Sequence, residues 1–398
     1  MKLHQIFFWL LLFFLPVQLG KHFWPDFSFV LGLRVDYLSP TLYLTDFFVL
    51  AVLLFWAFDL KAARLTIKKF SLPLIILFFL LLNCFLAQNQ GAAFYKLAKI
   101  TIFAFLSFYV AQNPAAPSLI RASLPWAVIY SSLLAIAQLV KQAALGGPFY
   151  WLGERTFNAV TPGIAKAVVG GRLVMRPYAT FPHPNALAGF LLVAFVLMKN
   201  PRNFREGSIQ RLAMVLSFLA IVISFSRSVW LVGLLLLAFT VYRQRFKKRL
   251  LVLLPILICL ILLVWFGKEL SGREAIQQRL QLIKLAILMI KQNPLAGVGL
   301  NNFISQLPFS TGWRRLLQPV HNIFLLVAAE TGLVGLMIFL WFLFLTTKRL
   351  LLTNRRTLMT AFTVILTLGL FDHYWFTLQQ TQLLFSIILG LAWARVRK

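Results

Sequence analysis

The sequence predicts an all-α polytopic membrane protein: about twelve transmembrane helices and two long extracytoplasmic loops in one integral membrane domain, 1–398. Three observations predict it. Of the 398 residues, 60% are hydrophobic and only 12% charged, which leaves too little polar surface to cover a soluble body built around one core. Many apolar runs approach or exceed the roughly 18–20 residues that cross a bilayer's hydrocarbon as helix. The net charge of +29 would suggest nucleic acid in a soluble chain, but here it is gathered in clusters between apolar runs. Such clusters set orientation and meet anionic headgroups, so the bilayer is the expected partner and nucleic acid is not.

In chain order, candidate spans fall at 5–20, 41–59, 71–88, 93–111, 120–142, 184–199, 212–225, 229–242, 250–266, 321–346, 358–371 and 375–394. The first imitates a signal peptide but lacks a small-x-small cleavage site and is read as a span. Twelve spans put both termini on one side. The loops after the second, sixth, eighth and tenth spans carry Lys61/Arg64/Lys68/Lys69, Lys199/Arg202/Arg205/Arg211, Arg243/Arg245/Lys247/Lys248/Arg249 and Lys348/Arg349/Arg355/Arg356. All of these share a side with Arg395, Arg397 and Lys398, and the positive-inside rule makes that side cytoplasmic.

The loops 143–183 and 267–320 then lie outside, and both are basic as well. Long loops translocate despite charge, and the simplest reason for the excess is an anionic ligand on the outer face. Within the second loop, 274–292 reads as a helix with Ile276, Leu280, Ile283, Ile287 and Ile290 on one side, suited to the membrane interface. Cys84 and Cys259 lie in apolar runs with no second ligand at metal spacing, so both read as small buried hydrophobes. No fixed-period repeat divides the chain.

The stretch Gln277–Gly335 concentrates the chemistry. His321 opens the tenth span, followed by Asn322 and, inside the apolar run, by Glu330. A His at a span end is commonly an interfacial anchor. Near neutral pH it is also the side chain best suited to take a proton from a sugar hydroxyl, and an ionisable Glu330 within a span faces a cavity or a partner. Arg227, in Ser226-Arg227-Ser228, marks a tight outer turn between two spans. Snorkelling is the plain reading, and a phosphate clamp the functional one, because guanidinium binds phosphate bidentately. Arg279 lies on the interfacial helix. After it, Pro294 ends the helix, and Gly297 and Gly299 allow a sharp turn that aims the loop back towards His321. The first outer loop closes with Arg176, His183 and Asn185; Asn185 reads as a helix cap, ligand contact being second, and His183 as structural. Lys96 and Lys99, three apart near the outer end of the fourth span, read first as snorkelling and second as facing one cavity.

At Ser226-Arg227, Arg279, Pro294-x-x-Gly-x-Gly and His321-Asn322 through Glu330-x-Gly-Leu-x-Gly, the chain resembles the O-antigen ligase and O-antigen polymerase family, over a motif region of about 176–335. The resemblance implies a GT-C-like membrane glycosyltransferase without metal or other cofactor. Its members move a glycan from an undecaprenyl-diphosphate carrier to a hydroxyl of an acceptor glycan, lipid or protein, on the outer face of the cytoplasmic (inner) membrane. It implies that Arg227 and Arg279 grip the diphosphate, with Arg176 a weaker third because Ala179 stands where a Gly is common. His321 would activate the acceptor, with inversion at the sugar.

Two other classes are open to the same composition. A transporter or flippase for an anionic or lipid-linked sugar suits twelve spans, yet transporters hold substrate near the midplane in repeated halves, whereas the ionisable residues here gather at span ends. A non-catalytic assembly partner would use the outer loops for docking.

Overall fold

A computed structural model describes residues 1–59, 71–198, 204–242, 273–307 and 316–395. The span expected at 250–266 lies outside them, as do the basic clusters 61–69 and 243–249.

The chain is mostly helical. The helices are α1 (Leu3–Phe13), α2 (Leu44–Asp59), α3 (Ser71–Leu86), α4 (Gln90–Gln112), α5 (Ala116–Lys141), α6 (Pro184–Leu197), α7 (Phe204–Ile223) and α8 (Arg227–Tyr242), followed by α9 (Arg273–Gln292), α10 (Ile323–Leu352), α11 (Arg356–Gly369), α12 (Tyr374–Thr377) and α13 (Gln379–Trp393). Three of them, α4, α5 and α10, are long and apolar enough to cross a membrane by length and composition, and six shorter helices are apolar. Large apolar side chains such as Phe78, Phe85, Phe105, Phe218, Phe239 and Trp341 face outward, the arrangement expected when the surrounding medium is hydrocarbon.

Among the described residues, the expectation of an all-α chain meets three small exceptions. Antiparallel two-stranded hairpins pair β1 (Gly20–His22) with β4 (Thr41–Tyr43), β2 (Phe29–Val30) with β3 (Leu33–Arg34), and β5 (Lys166–Val169) with β6 (Arg172–Met175). The first corrects two span boundaries. Helix α1 stops at Phe13, ahead of Pro16, which cannot donate to a continuing helix, and α2 starts only after Tyr43.

Packing makes one bundle around α6, which is buried from Pro184 to Ala194 and is therefore apolar on every face. It packs on α7, α8 and α11, while α5 packs on α7 and α1, and α13 on α4. Helix α9 forms where a helix was expected, but its inward face is Leu282, Leu285, Ala286 and Met289, packed with Val35, Leu38, Phe303 and Leu326. Of the apolar stripe read from sequence, Ile276, Leu280 and Ile287 are exposed, and only Ile283 and Ile290 touch that core. The helix thus has two apolar flanks, one for protein and one turned away from it.

Helix α10 breaks at Gly332, where φ is 69° and ψ −177°. The loop 294–299 docks on the break: Val298 N–H donates to Ala329 O (2.9 Å), Gly299 N–H to Glu330 O (2.9 Å) and Leu333 N–H to Pro294 O (2.8 Å). The Gly297–Gly299 turn is therefore aimed at the α10 break, more than two helical turns along from His321.

Candidate active site

His321 ends the segment that leads into α10, and Asn322 caps that helix by accepting from the backbone N–H of Phe324 (2.9 Å) and Leu325 (3.0 Å). Its amide also donates to Leu370 O (3.2 Å), which ties the start of α10 to the end of α11. That tie sets His321 beside Asp372, in the turn between α11 and α12: His321 Nδ1 lies 3.2 Å from Asp372 Oδ1. Asp372 Oδ1 also accepts from its neighbour's backbone N–H at His373 (2.9 Å), and Oδ2 accepts from Asn185 Nδ2 (3.0 Å).

Asn185 is not the helix cap expected from sequence. The cap of α6 is His183, whose Nδ1 accepts from Asn185 N–H (3.1 Å), because Pro184 occupies the first helical position and leaves that amide as the nearest donor. Freed from capping, the Asn185 side chain bridges two charges, accepting from Arg176 Nη2 (2.7 Å) while donating to Asp372. Arg176 also donates through Nε to Ser224 O (2.7 Å), at the end of α7. Three residues on, Arg227 starts α8. Arg279, exposed on α9, reaches Phe371 O (3.4 Å), one residue from Asp372. The three arginines are close enough for Arg176 to feel both of the others, and Arg279 acts on His183 and His373 as well.

The electrostatics of the cluster are uneven. Burial alone would raise the Asp372 carboxyl, but His321, through charge and hydrogen bond, and then His373 and His183 hold it well below the usual carboxylate range. Burial pushes His373 down to about 3 against the pull of Asp372, and the two remaining histidines and Arg279 push the same way. His183 is likewise pushed down to about 3, first by burial and then by Arg176. Burial, with Arg227 and Arg279, lowers the Arg176 guanidinium to about 10, which leaves it protonated. An ionised Asp372 with neutral His183 and His373 makes a single carboxylate facing a cationic rim. As an acceptor it draws the hydrogen bond of His321 Nδ1–H, the tautomer that leaves the Nε2 lone pair available.

Among the described residues, His321, Asp372 and His373 also offer three ligand atoms within 4.8 Å of one another. Three atoms in this pattern suit a divalent ion in principle. Here Asp372 already accepts three hydrogen bonds, and the nearby arginines oppose a second cation.

The remaining sequence candidates divide. Ser226 is buried with a hydroxyl that finds no hydrogen-bond partner among the described residues, so it does not present an exposed clamp. Glu330 lies at the α10 break, where its Oε1 accepts from Phe303 N–H (3.4 Å) and its carbonyl accepts from Gly299. It braces the loop and makes no hydrogen bond to His321. Pro294, Gly297 and Gly299 shape that loop. Lys99 pairs with Asp46 inside the bundle, and Lys96 donates to Phe376 O. Sequence reasoning missed Asp372 and His373. The signal was present: Asp372 is one of ten acidic residues, in a short turn that the twelve-span threading puts on the side of His321.

A family model described as O-antigen ligase matches residues 212–340, from α7 through the break in α10. The matched stretch holds Arg227, Arg279, the docked loop and His321. No curated protein matches the chain.

Proposed function

We propose, from the premise that the match over residues 212–340 supports assigning the chain to the O-antigen ligase/polymerase family, that it transfers a glycan from an undecaprenyl-diphosphate carrier to an acceptor hydroxyl. The single observation that carries this reading is the His321–Asp372 pair with Arg176, Arg227 and Arg279 beside it: a base oriented by a carboxylate, next to a cationic rim of the kind a diphosphate needs.

In this reading the acceptor hydroxyl gives its proton to His321 Nε2 as its oxygen bonds to the anomeric carbon. The bond from that carbon to the diphosphate oxygen breaks on the opposite face, and the diphosphate leaves with the electron pair, so the sugar inverts. Arg227 and Arg279 meet the charge that develops on the leaving group, with Arg176 behind them. Fixed guanidinium groups then supply what a divalent cation supplies elsewhere, and the reaction is metal-independent. The site faces the outside of the cytoplasmic membrane, and both termini face the cytoplasm.

The test is transfer by purified protein from a defined undecaprenyl-diphosphate glycan in EDTA. Wild type is expected to form product, and His321→Ala to lose it. Arg279→Lys should be nearly as impaired as Arg279→Ala, about 10²-fold or more in rate, because an ammonium cannot replace a bidentate fork. Full activity of Arg279→Lys would remove the clamp. Lys99 and Asp46, a buried ion pair between α4 and α2, are the observation that favours a transporter. Sugar flux into proteoliposomes that depends on Lys99 and ignores His321 would establish that reading instead.

A further inference from the structure

We propose that Asn185 is a positioning residue that keeps Arg176 and Asp372 from closing into a direct ion pair, so that the guanidinium stays available to an anionic leaving group and the carboxylate to His321. This rests on the transferase reading and deepens it.

The geometry is that of a spacer with two unlike ends. The Asn185 amide oxygen accepts from Arg176 Nη2 (2.7 Å), and its Nδ2 donates to Asp372 Oδ2 (3.0 Å). The reverse orientation would set the amide NH2 against a guanidinium and the oxygen against a carboxylate, so the partners themselves fix which end is which. The residue is buried, and its backbone is held as well: it follows Pro184 in the first turn of α6, and His183 Nδ1 accepts its N–H (3.1 Å). Arg176 and Asp372 reach it from different loops, one before α6 and the other between α11 and α12. Among the described residues no ion pair joins them directly; the charged contacts of Asp372 are with His321 and His373.

The alternative arrangement is close at hand. A guanidinium and a carboxylate in a poorly hydrated site pair strongly and in bidentate fashion, and Asp372 already acts on the Arg176 guanidinium in the sense that favours its charge. A bidentate pair would take both carboxylate oxygens, of which Oδ1 now serves His321 and the His373 N–H. It would also occupy the guanidinium, which among the described residues donates only through Nε, to Ser224 O, and through Nη2, leaving Nη1 to a ligand. A neutral amide avoids both losses. A carboxylate in its place would satisfy Arg176 and repel Asp372, and an apolar side chain would hold neither.

The test uses full-length protein and two readouts, of which only one needs turnover. In Asn185→Leu, kcat in the transfer assay is expected to fall about tenfold or more. Adding Arg176→Met should then restore kcat to that of Arg176→Met alone, because the cation that captured Asp372 is gone; a merely structural Asn185 would multiply the two defects instead. Phenylglyoxal labelling of Arg176, read by mass spectrometry, should slow in Asn185→Leu and recover when Asp372→Asn is added. Multiplied defects, or equal labelling of Arg176 in wild type and Asn185→Leu, would overturn the proposal. If Asn185→Leu fails to fold, Asn185→Asp carries the test with the sign reversed. Its new carboxylate holds Arg176, so labelling should stay slow when Asp372→Asn is added and Arg176→Met should deepen the loss of kcat; recovery in either would overturn the proposal. The expected labelling pattern in a protein whose wild type transfers no glycan would sink the transferase reading and leave the spacer standing.

Discussion

At His321 the chemistry turns on which nitrogen faces the carboxylate. Nδ1 lies against Asp372, so an ionised Asp372 fixes Nδ1–H and leaves Nε2 as the base. Asp372→Asn keeps the shape but can donate to Nδ1 and favour the opposite tautomer. Its expected effect is a kcat lower by about 10²–10⁴ with both KM values near wild type, read in the transfer assay; an unchanged kcat would remove Asp372 from the mechanism. A second prediction concerns stability. His183 and His373 are held at about 3 in the folded state against roughly 6.5 when unfolded, so between those values the unfolded chain binds protons that the folded chain does not. Stability is then complete above about 6.5 and falls as the pH drops towards 3. Thermal unfolding followed from pH 7.5 to 5 should show the loss, and His373→Gln should flatten it. A profile flat in both proteins would contradict neutral His183 and His373 in the folded state. His321 and the arginines were legible in sequence because polar side chains at the ends of apolar runs are conspicuous. Asn185 was misread, since only the fold shows that His183 takes the cap and that Asn185 bridges Arg176 to Asp372. Ala179 is instructive for the same reason. Its φ is 49°, the left-handed region in which a Gly is at ease, and Gln138 holds it there by donating to Ala179 O and accepting from Ala179 N–H.

Helix α10 carries the site at one end and a break in the middle, and the break depends on one residue. Gly332 occupies a φ/ψ region that is essentially Gly-only, and a Cβ there would come within 2.2 Å of Leu295 O. Gly297 fits against the same turn, where a Cβ would meet Glu330 C at 2.5 Å. Gly332→Ala must therefore either expel the loop 294–299 or straighten the helix, at a cost of about 1–3 kcal/mol or more. A clearly lower melting temperature is expected, together with weakened transfer, because α9 and Arg279 hang on that loop. A wild-type melting temperature would show that the break is not enforced by Gly332. The turn itself was visible in the pattern Pro294-x-x-Gly-x-Gly. Its docking place was not, because that depends on backbone groups exposed by a helix break some thirty residues further on. The same applies to α9: periodicity found its apolar stripe but could not say that protein would cover the neighbouring face.

Across the whole molecule, charge and hydrogen bonding separate the bundle into two ends. At one end lie His321, Asp372, Arg176, Arg227 and Arg279. At the other, Arg349 donates to Ala392 O, Trp393 O and Ala394 O, and Arg355 donates to Leu391 O and Ala394 O, so cations satisfy the carbonyls at the C-terminal end of α13. Helix α10 links the two ends. Its 30 residues would rise about 45 Å as straight helix, longer than the roughly 30 Å of hydrocarbon even after the break. Of the basic clusters read from sequence, Lys348 to Arg356 lies at the second end, and the positive-inside rule predicts that this end is cytoplasmic. That argument predicts which compartment each end touches. In a chain carrying Cys84→Ala and Cys259→Ala, a cysteine at Val160, 82% exposed in the loop before α6, should react with a membrane-impermeant maleimide added outside spheroplasts. One at Pro114, exposed between α4 and α5, should react only after the membrane is permeabilised. The consequence reaches the chemistry, because an outward site has access to carrier-linked glycans but not to nucleotide sugars. Labelling of Pro114→Cys in sealed spheroplasts, with Val160→Cys protected, would turn the site towards the cytoplasm and remove the reason for reading its arginines as a clamp for a lipid diphosphate.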